Sequence, residues 1–106
     1  MSLNSTDAIA ERHLICERAG GERLRVTLRV GKPYRASDVD WACPVAVEGL
    51  FESLADIHGI DSFQALVLAQ GLLRNLMRGE VADGSTFWWA DTHEQLDIEE
   101  MFGRDI

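Results

Sequence analysis

From Arg23 to Val30 the chain alternates without a break, with Leu24, Val26, Leu28 and Val30 apolar and Arg23, Arg25, Thr27 and Arg29 polar. A period of two marks a strand with one face buried and the other wet. This run therefore argues for a sheet in the first half of the chain. Ile9 to Arg18 reads as its partner strand. Ala19-Gly20-Gly21-Glu22 joins the two, and glycine supplies the positive φ that a tight hairpin needs.

Gly31-Lys32-Pro33 ends the second strand, and the polar stretch Tyr34 to Asp40 reads as a loop. Trp41, Cys43, Val45 and Val47 then fall on one face of a third strand. Pro44 interrupts that run and has no N–H for a ladder, so an edge position or a bulge is expected there. Gly49 permits a turn, and Phe51 to His58 is expected as a fourth strand with Phe51, Ser53, Ala55 and Ile57 on one face.

A helix is expected from Asp61 to about Arg78. Asp61 is a good N-cap, and Gln64 three residues on completes a capping box. Leu66, Ala69, Leu73, Leu76 and Met77 share a face at helical spacing. Arg74 and Arg78 suit the negative end of the helix dipole, and Gly79 is a natural stop. Phe63 and Val67 fall on the polar side, near Gln70 and Arg74, so something should cover them: the C-terminal segment or a second subunit.

Phe87-Trp88-Trp89 is a candidate fifth strand. Asp91 and Glu94 form a second capping box, which predicts a short helix ending near Phe102-Gly103. Strands followed by helices give an α+β class. The expected architecture is an antiparallel sheet of about four strands plus that fifth, one long helix on one face, and a short C-terminal helix.

The 106 residues leave room for one domain and one core. The first seven residues are expected to fray. At 46% hydrophobic and 26% charged, the chain is too apolar for a disordered segment. No apolar run approaches the roughly 18 residues that span a bilayer. The polar start lacks a secretory signal, so the expected location is cytoplasmic. Cys16 and Cys43 make neither a disulfide framework nor a zinc site and are expected as buried thiols.

The net charge of −8 is concentrated at the C-terminus. From residue 80 onward Glu80, Asp83, Asp91, Glu94, Asp97, Glu99, Glu100 and Asp105 face a single base, Arg104, while the rest of the chain is close to neutral. An acidic tail on a neutral body disfavours nucleic acid and anionic membranes as partners. It suits a solvated face or a docking surface for a basic partner.

Gly59-Ile60-Asp61-Ser62-Phe63-Gln64-Ala65-Leu66 resembles the G-x-D-S-[LF] signature of acyl carrier proteins, in which the Ser carries phosphopantetheine. That resemblance implies an all-helical fold, which the strand Arg23 to Val30 opposes. The other reading of Asp61 and Ser62 is helix capping. A wider resemblance rests on Trp41-x-Cys43-Pro44, Gly49, Gly59-x-Asp61-Ser62-x-Gln64-Ala65-Leu66 and a late Trp88. These residues look like a family of small bacterial domains of unknown function. It spans about residues 9–90, implies a strand-rich first half and assigns no activity; the acidic end after Ala90 reads as an addition to it.

Candidate chemistry is sparse. Cys43 with a histidine would make a nucleophile and base, but His13, His58 and His93 are expected on a strand, a strand end and a helix start, and no local signature ties them to Cys43. His93, Glu94 and Asp97, or Asp38 and Asp40, lack the convergent set a metal needs. There is no phosphate-binding glycine loop. No cofactor is therefore expected. The basic strand face of Arg23, Arg25 and Arg29 lacks the interleaved aromatics of a nucleic-acid platform. It suits cross-strand pairs with Glu11 or Glu17, or docking of another subunit's acidic tail. Trp88 and Trp89 are adjacent and must face opposite sides of a strand, so one is a candidate contact residue.

The favoured expectation is a non-enzymatic protein-interaction or assembly domain, dimeric or bound to another protein, with Trp88, Trp89, Phe63, Val67, Arg23, Arg25 and Arg29 as interface candidates. The alternative is a carrier or small enzyme acting through Ser62 or Cys43.

Overall fold

A computed structural model describes residues 3–103. Its first half is the hairpin that the alternation dictates. Strand β1, Ala8–Glu17, pairs antiparallel with β2, Arg23–Gly31, so that Leu14 lies opposite Val26 and Cys16 opposite Leu24. The Arg18 carbonyl accepts from the Gly21 N–H at 2.8 Å, with Gly21 at φ 92°. The polar stretch expected as a loop carries a two-residue strand, β3, Tyr34–Arg35.

Pro44 does more than bend one strand. Trp41–Cys43 form β4 and Val45–Glu48 form β5, and the two belong to different sheets. β4 pairs with β3 and with β6, Ile57–Gly59, whereas β5 pairs with β2. Pro44 cannot continue a ladder through its nitrogen, and its carbonyl accepts from the Gly31 N–H at 2.8 Å. The expected single third strand is thus two strands with a crossing between them. Its expected alternation also fails, because Ala42, Cys43, Val45, Ala46 and Val47 are all buried. The expected fourth strand shrinks to β6, and Phe51 to Asp56 are irregular.

Helix α1 runs Ser62–Ala82. Asp61 caps it, accepting from the Gln64 N–H at 2.8 Å, while the Gln64 side chain accepts from the Ile60 N–H at 2.8 Å. The reciprocal bond therefore reaches one residue further back than in a simple capping box. Gly79 does not stop the helix. A helical glycine costs about 1 kcal/mol, and the helix continues to a Schellman closure in which Ser85 N–H bonds Glu80 O at 2.9 Å and Gly84 N–H bonds Val81 O at 3.0 Å. Gly84 carries the positive φ, 100°.

After α1, β7 (Thr86–Trp89) returns antiparallel to β1 and turns into β8 (Gln95–Leu96). The helix expected from Asp91 is absent. Residues 90–94 form the hairpin turn instead, with Trp89 N–H bonded to Glu94 O at 2.8 Å and His93 at φ 60°. The cap that operates is Asp97, which accepts from the Glu99 N–H and opens the short α2, Ile98–Met101.

The class is α+β, with two antiparallel sheets in place of one: β5-β2-β1-β7-β8 and β3-β4-β6. Ala65, Ala69, Leu73 and Met77 of α1 meet Leu14, Cys16, Val26, Val47 and Phe87 of the large sheet and Cys43 of the small one in one core. No helix among the described residues is long and apolar enough to cross a membrane.

Candidate interaction surfaces

One face of the large sheet carries the core, and the other is open. On the open face Glu11, His13, Ile15 and Glu17 of β1 lie opposite Arg29, Thr27, Arg25 and Arg23 of β2. Most of its charge is already matched. Arg29 bonds Glu11 at 3.0 Å and also bonds Glu48, and Arg23 lies 3.4 Å from Glu17. The Arg29 guanidinium holds the Glu11 carboxyl below its ordinary range, and the two carboxylates push Arg29 upward. On this face Arg25 is exposed and has no ion pair among the described residues. The arginine row is therefore mostly neutralised within its own sheet, which leaves little of it for another subunit's acidic tail.

The two tryptophans do face opposite ways. Trp88 lies opposite Ile15 on the open face, half-buried, with the Arg23 guanidinium 5.7 Å from its ring centroid and its indole N–H buried without an acceptor. Trp89 lies opposite Leu14 on the core side, under the Arg12 guanidinium at 4.3 Å. Arg12 thus covers the Trp89 ring and Arg23 the Trp88 ring, which is the one that alternation leaves on the open face.

The outer face of α1 is different. Phe63 is 75% exposed and Val67 49%, and beside them Ile60 is 73% and Leu68 45% exposed. Between Ser62 and Met77 the only charged residue is Arg74. A surface helix ordinarily carries charge on its wet side; here the first turns offer Phe63, Val67, Leu68, Gln70 and Asn75. The described C-terminal segment docks further along. Arg78 bonds Glu99 at 2.5 and 2.7 Å, and Arg74 donates to the Phe102 carbonyl at 3.2 Å. Phe63 is eleven residues from Arg74, roughly 16 Å along the helix. Ile60 and Leu68 escaped the sequence reading; the charge-free stretch after Ser62 was a signal for Leu68, whereas Ile60 stands beside the charged Asp61.

The candidate chemical residues are not brought together. Cys43 is fully buried, its thiol donates to the Gly31 carbonyl at 3.4 Å, and burial pushes its pKa up; Cys16 is likewise buried and raised. A raised, enclosed thiol is a poor nucleophile. His58 pairs across the ladder with Ala42, not Cys43, and its Nδ1 is 2.6 Å from Asp40 Oδ2. Asp40 also accepts from the Ser37 hydroxyl, so a carboxylate, not the imidazole, meets the serine. His58 is therefore not placed to take the Ser37 proton. Ser37 Oγ accepts from the Val39 and Asp40 N–H groups, which makes the cluster a turn cap. His13 meets Thr27 at 3.1 Å, and His93 sits in the hairpin turn rather than at a helix start. Ser62 is exposed at the first helical position behind six strands, a setting unlike an all-helical carrier. Among the described residues no three His, Cys, Asp or Glu side chains gather to hold a metal.

The family described as Domain of unknown function (DUF6968) matches residues 10–99. The chain belongs to this family. The match takes in both sheets, α1 and the β7–β8 hairpin, so residues 91–99 lie inside the family pattern and are not an addition after Ala90. No curated protein and no solved structure matches the chain.

Proposed function

We propose that this DUF6968 chain is a non-enzymatic assembly domain that self-associates through the outer face of α1. The observation that carries the reading is the exposed, charge-free ridge of Ile60, Phe63, Val67 and Leu68. Exposed apolar clusters of this kind are contact surfaces more often than they are solvated ones. A second copy is the favoured occupant on electrostatic grounds. Each chain carries −8, so two copies meet at least cost across a face whose one flanking carboxylate is the N-cap Asp61. A helix face paired about a two-fold axis is self-complementary. Gly71 lies on the same side with open space around it, which lets a second backbone come close. The arginine face, with Trp88 beside it, is a secondary candidate for an acidic partner through Arg25. Its ion pairs within the sheet support a solvated role for most of it.

Four side chains make a small patch, so the expected dissociation constant is on the order of tens of micromolar. Sedimentation velocity from about 10 µM to about 1 mM tests it. The wild type is expected to move toward twice its monomer mass, Phe63→Lys to stay monomeric, and Arg25→Glu on the open sheet face to associate as the wild type does. A wild type that stays monomeric throughout, or a Phe63→Lys variant that associates unchanged, overturns the reading.

A further inference from the structure

Strand β1 is longer than the strand that covers it. β2 pairs with it from Ala8 to Glu17, whereas β7 pairs only with Leu14 to Glu17 and ends at Trp89, where the chain enters the hairpin turn. The edge from Ala8 to His13 is therefore open on the β7 side, and Ile9, Ala10, Glu11 and His13 are exposed. The neighbouring ladder fixes where its backbone groups point. Trp89 spends both of its own within the β7–β8 hairpin, its N–H on Glu94 O at 2.8 Å and its carbonyl on the His93 N–H at 3.0 Å. Those groups face away from β1, so Leu14, which lies opposite Trp89, turns its groups to β2. The direction alternates along a strand. Glu11 and His13 accordingly aim N–H and C=O outward, past the end of β7. Among the described residues none of these groups has a hydrogen-bond partner.

Open edges are ordinarily blunted by charge. Here the charges are drawn off the edge. Glu11 is engaged by Arg29, Arg12 lies on the Trp89 ring, and His13 meets Thr27. The register shift falls at the start of the strand, between Ala8 and Ala10. A notch of about 300 Å³ marks the place where β7 stops, lined by Glu11, Arg12, His13, Trp89, Ala90 and Asp91. The edge is acidic at both ends. Asp7 precedes it and Asp91 stands beyond β7, and neither carboxylate has a partner among the described residues. On a chain of net charge −8, that setting favours a cationic partner.

We propose that the edge from Ala8 to His13 takes a basic, extended segment of a partner protein as an added strand. The segment completes the ladder at Glu11 and His13 with its own alternate N–H and C=O groups. Its apolar side chains lie on the Trp89 side, and its cationic ends meet Asp7 and Asp91.

The test titrates the full chain with the acetylated and amidated peptide Lys-Val-Thr-Val-Thr-Val-Lys, reading amide shifts and hydrogen exchange in ¹H–¹⁵N spectra. Saturable binding is expected, with a dissociation constant on the order of 0.1–1 mM for so short a strand. At saturation the Glu11 and His13 amides should exchange at least about tenfold more slowly than in the chain alone, while Arg12, already bonded to β2, should not change. With the valines on the Trp89 side, the Thr nitrogens face β1. Methylating them should weaken binding at least about tenfold, and methylating the Val nitrogens should leave it within about threefold. Glu-Val-Thr-Val-Thr-Val-Glu should bind at least about tenfold more weakly than the lysine peptide. Phe63→Lys should bind the lysine peptide as the wild type does, so this test and that of self-association stand apart. No saturation, equal binding of the two methylated peptides, equal binding of the glutamate peptide, or shifts centred on Phe63 and Val67 would each overturn the proposal. So would Glu11 and His13 amides already protected without peptide: at every dilution this marks an edge covered from within, and only at high concentration one taken by a second copy.

Discussion

Strand β6 runs so close under the first turn of α1 that a Cβ on Gly59 would lie 2.6 Å from the backbone nitrogen of Ala65. Backbone cannot yield as a flexible side chain does, so a methyl group there forces strand and helix apart. Gly59→Ala is expected to lose about 2–3 kcal/mol, the upper range for overpacking, which lowers the melting temperature by roughly 10–20 °C in a domain of this size. Gly71→Ala, with open space around it, is expected to match or slightly exceed the wild-type melting temperature. Calorimetry on the two variants checks both signs.

The Asp61-Ser62 pair acts as helix punctuation. Asp61→Ala removes the acceptor of the Gln64 N–H and should lower stability by about 1 kcal/mol, whereas Ser62→Ala should change it by no more than about 0.5 kcal/mol. Denaturant midpoints measure the difference. A Ser62 effect larger than the Asp61 effect contradicts this assignment.

Two carboxylates make stability depend on acid. Asp40 is held below its ordinary 3.8 by the Ser37 hydroxyl first and His58 second, and Glu11 below 4.5 chiefly by Arg29. Both bind a proton less readily folded than unfolded. Their contribution is therefore complete above those ordinary values and is lost as pH falls through the lower folded values. Urea midpoints should fall on acidification below that range, and Arg29→Gln should remove the part due to Glu11. Side-chain carboxyl NMR titration checks the two residues directly.

The thiols should be inert in the folded chain. Cys16 and Cys43 have no exposed surface, and burial raises both. Alkylation by N-ethylmaleimide is expected to be at least about 100-fold slower than in denaturant, because labelling must wait for opening of the core. Rapid modification of Cys43 in native conditions would revive a nucleophilic reading.

Much of this fold is written in local pattern. The β1–β2 hairpin is legible because the Arg23–Val30 alternation is set by a sheet with one wet face, and α1 because Asp61, Gln64 and the Leu66–Met77 stripe agree. What the sequence hid depended on distant packing. Gly79 passes through the helix since Gly84 and Ser85 close it further on. Pro44 divides one apolar run between two sheets, and burial on both sides erases the period that would reveal it. Asp91 and Glu94 have the spacing of a cap, but the demand of β7 for a partner strand draws 95–96 into the sheet. The surface was half legible. Phe63 and Val67 stood out by their place on the helical wheel. The covers that Arg12 and Arg23 lay over the tryptophans arise from cross-strand neighbours that only a register can identify.

The most direct test of self-association through α1 is an isotope-filtered NOE experiment on an equal mixture of ¹³C-labelled and unlabelled chains at high concentration. Contacts between copies should join the Phe63 ring to Val67 or Leu68 methyl groups of the second chain. Intermolecular contacts that involve Trp88 and Ile15 on the open sheet face, with none from Phe63, would contradict it.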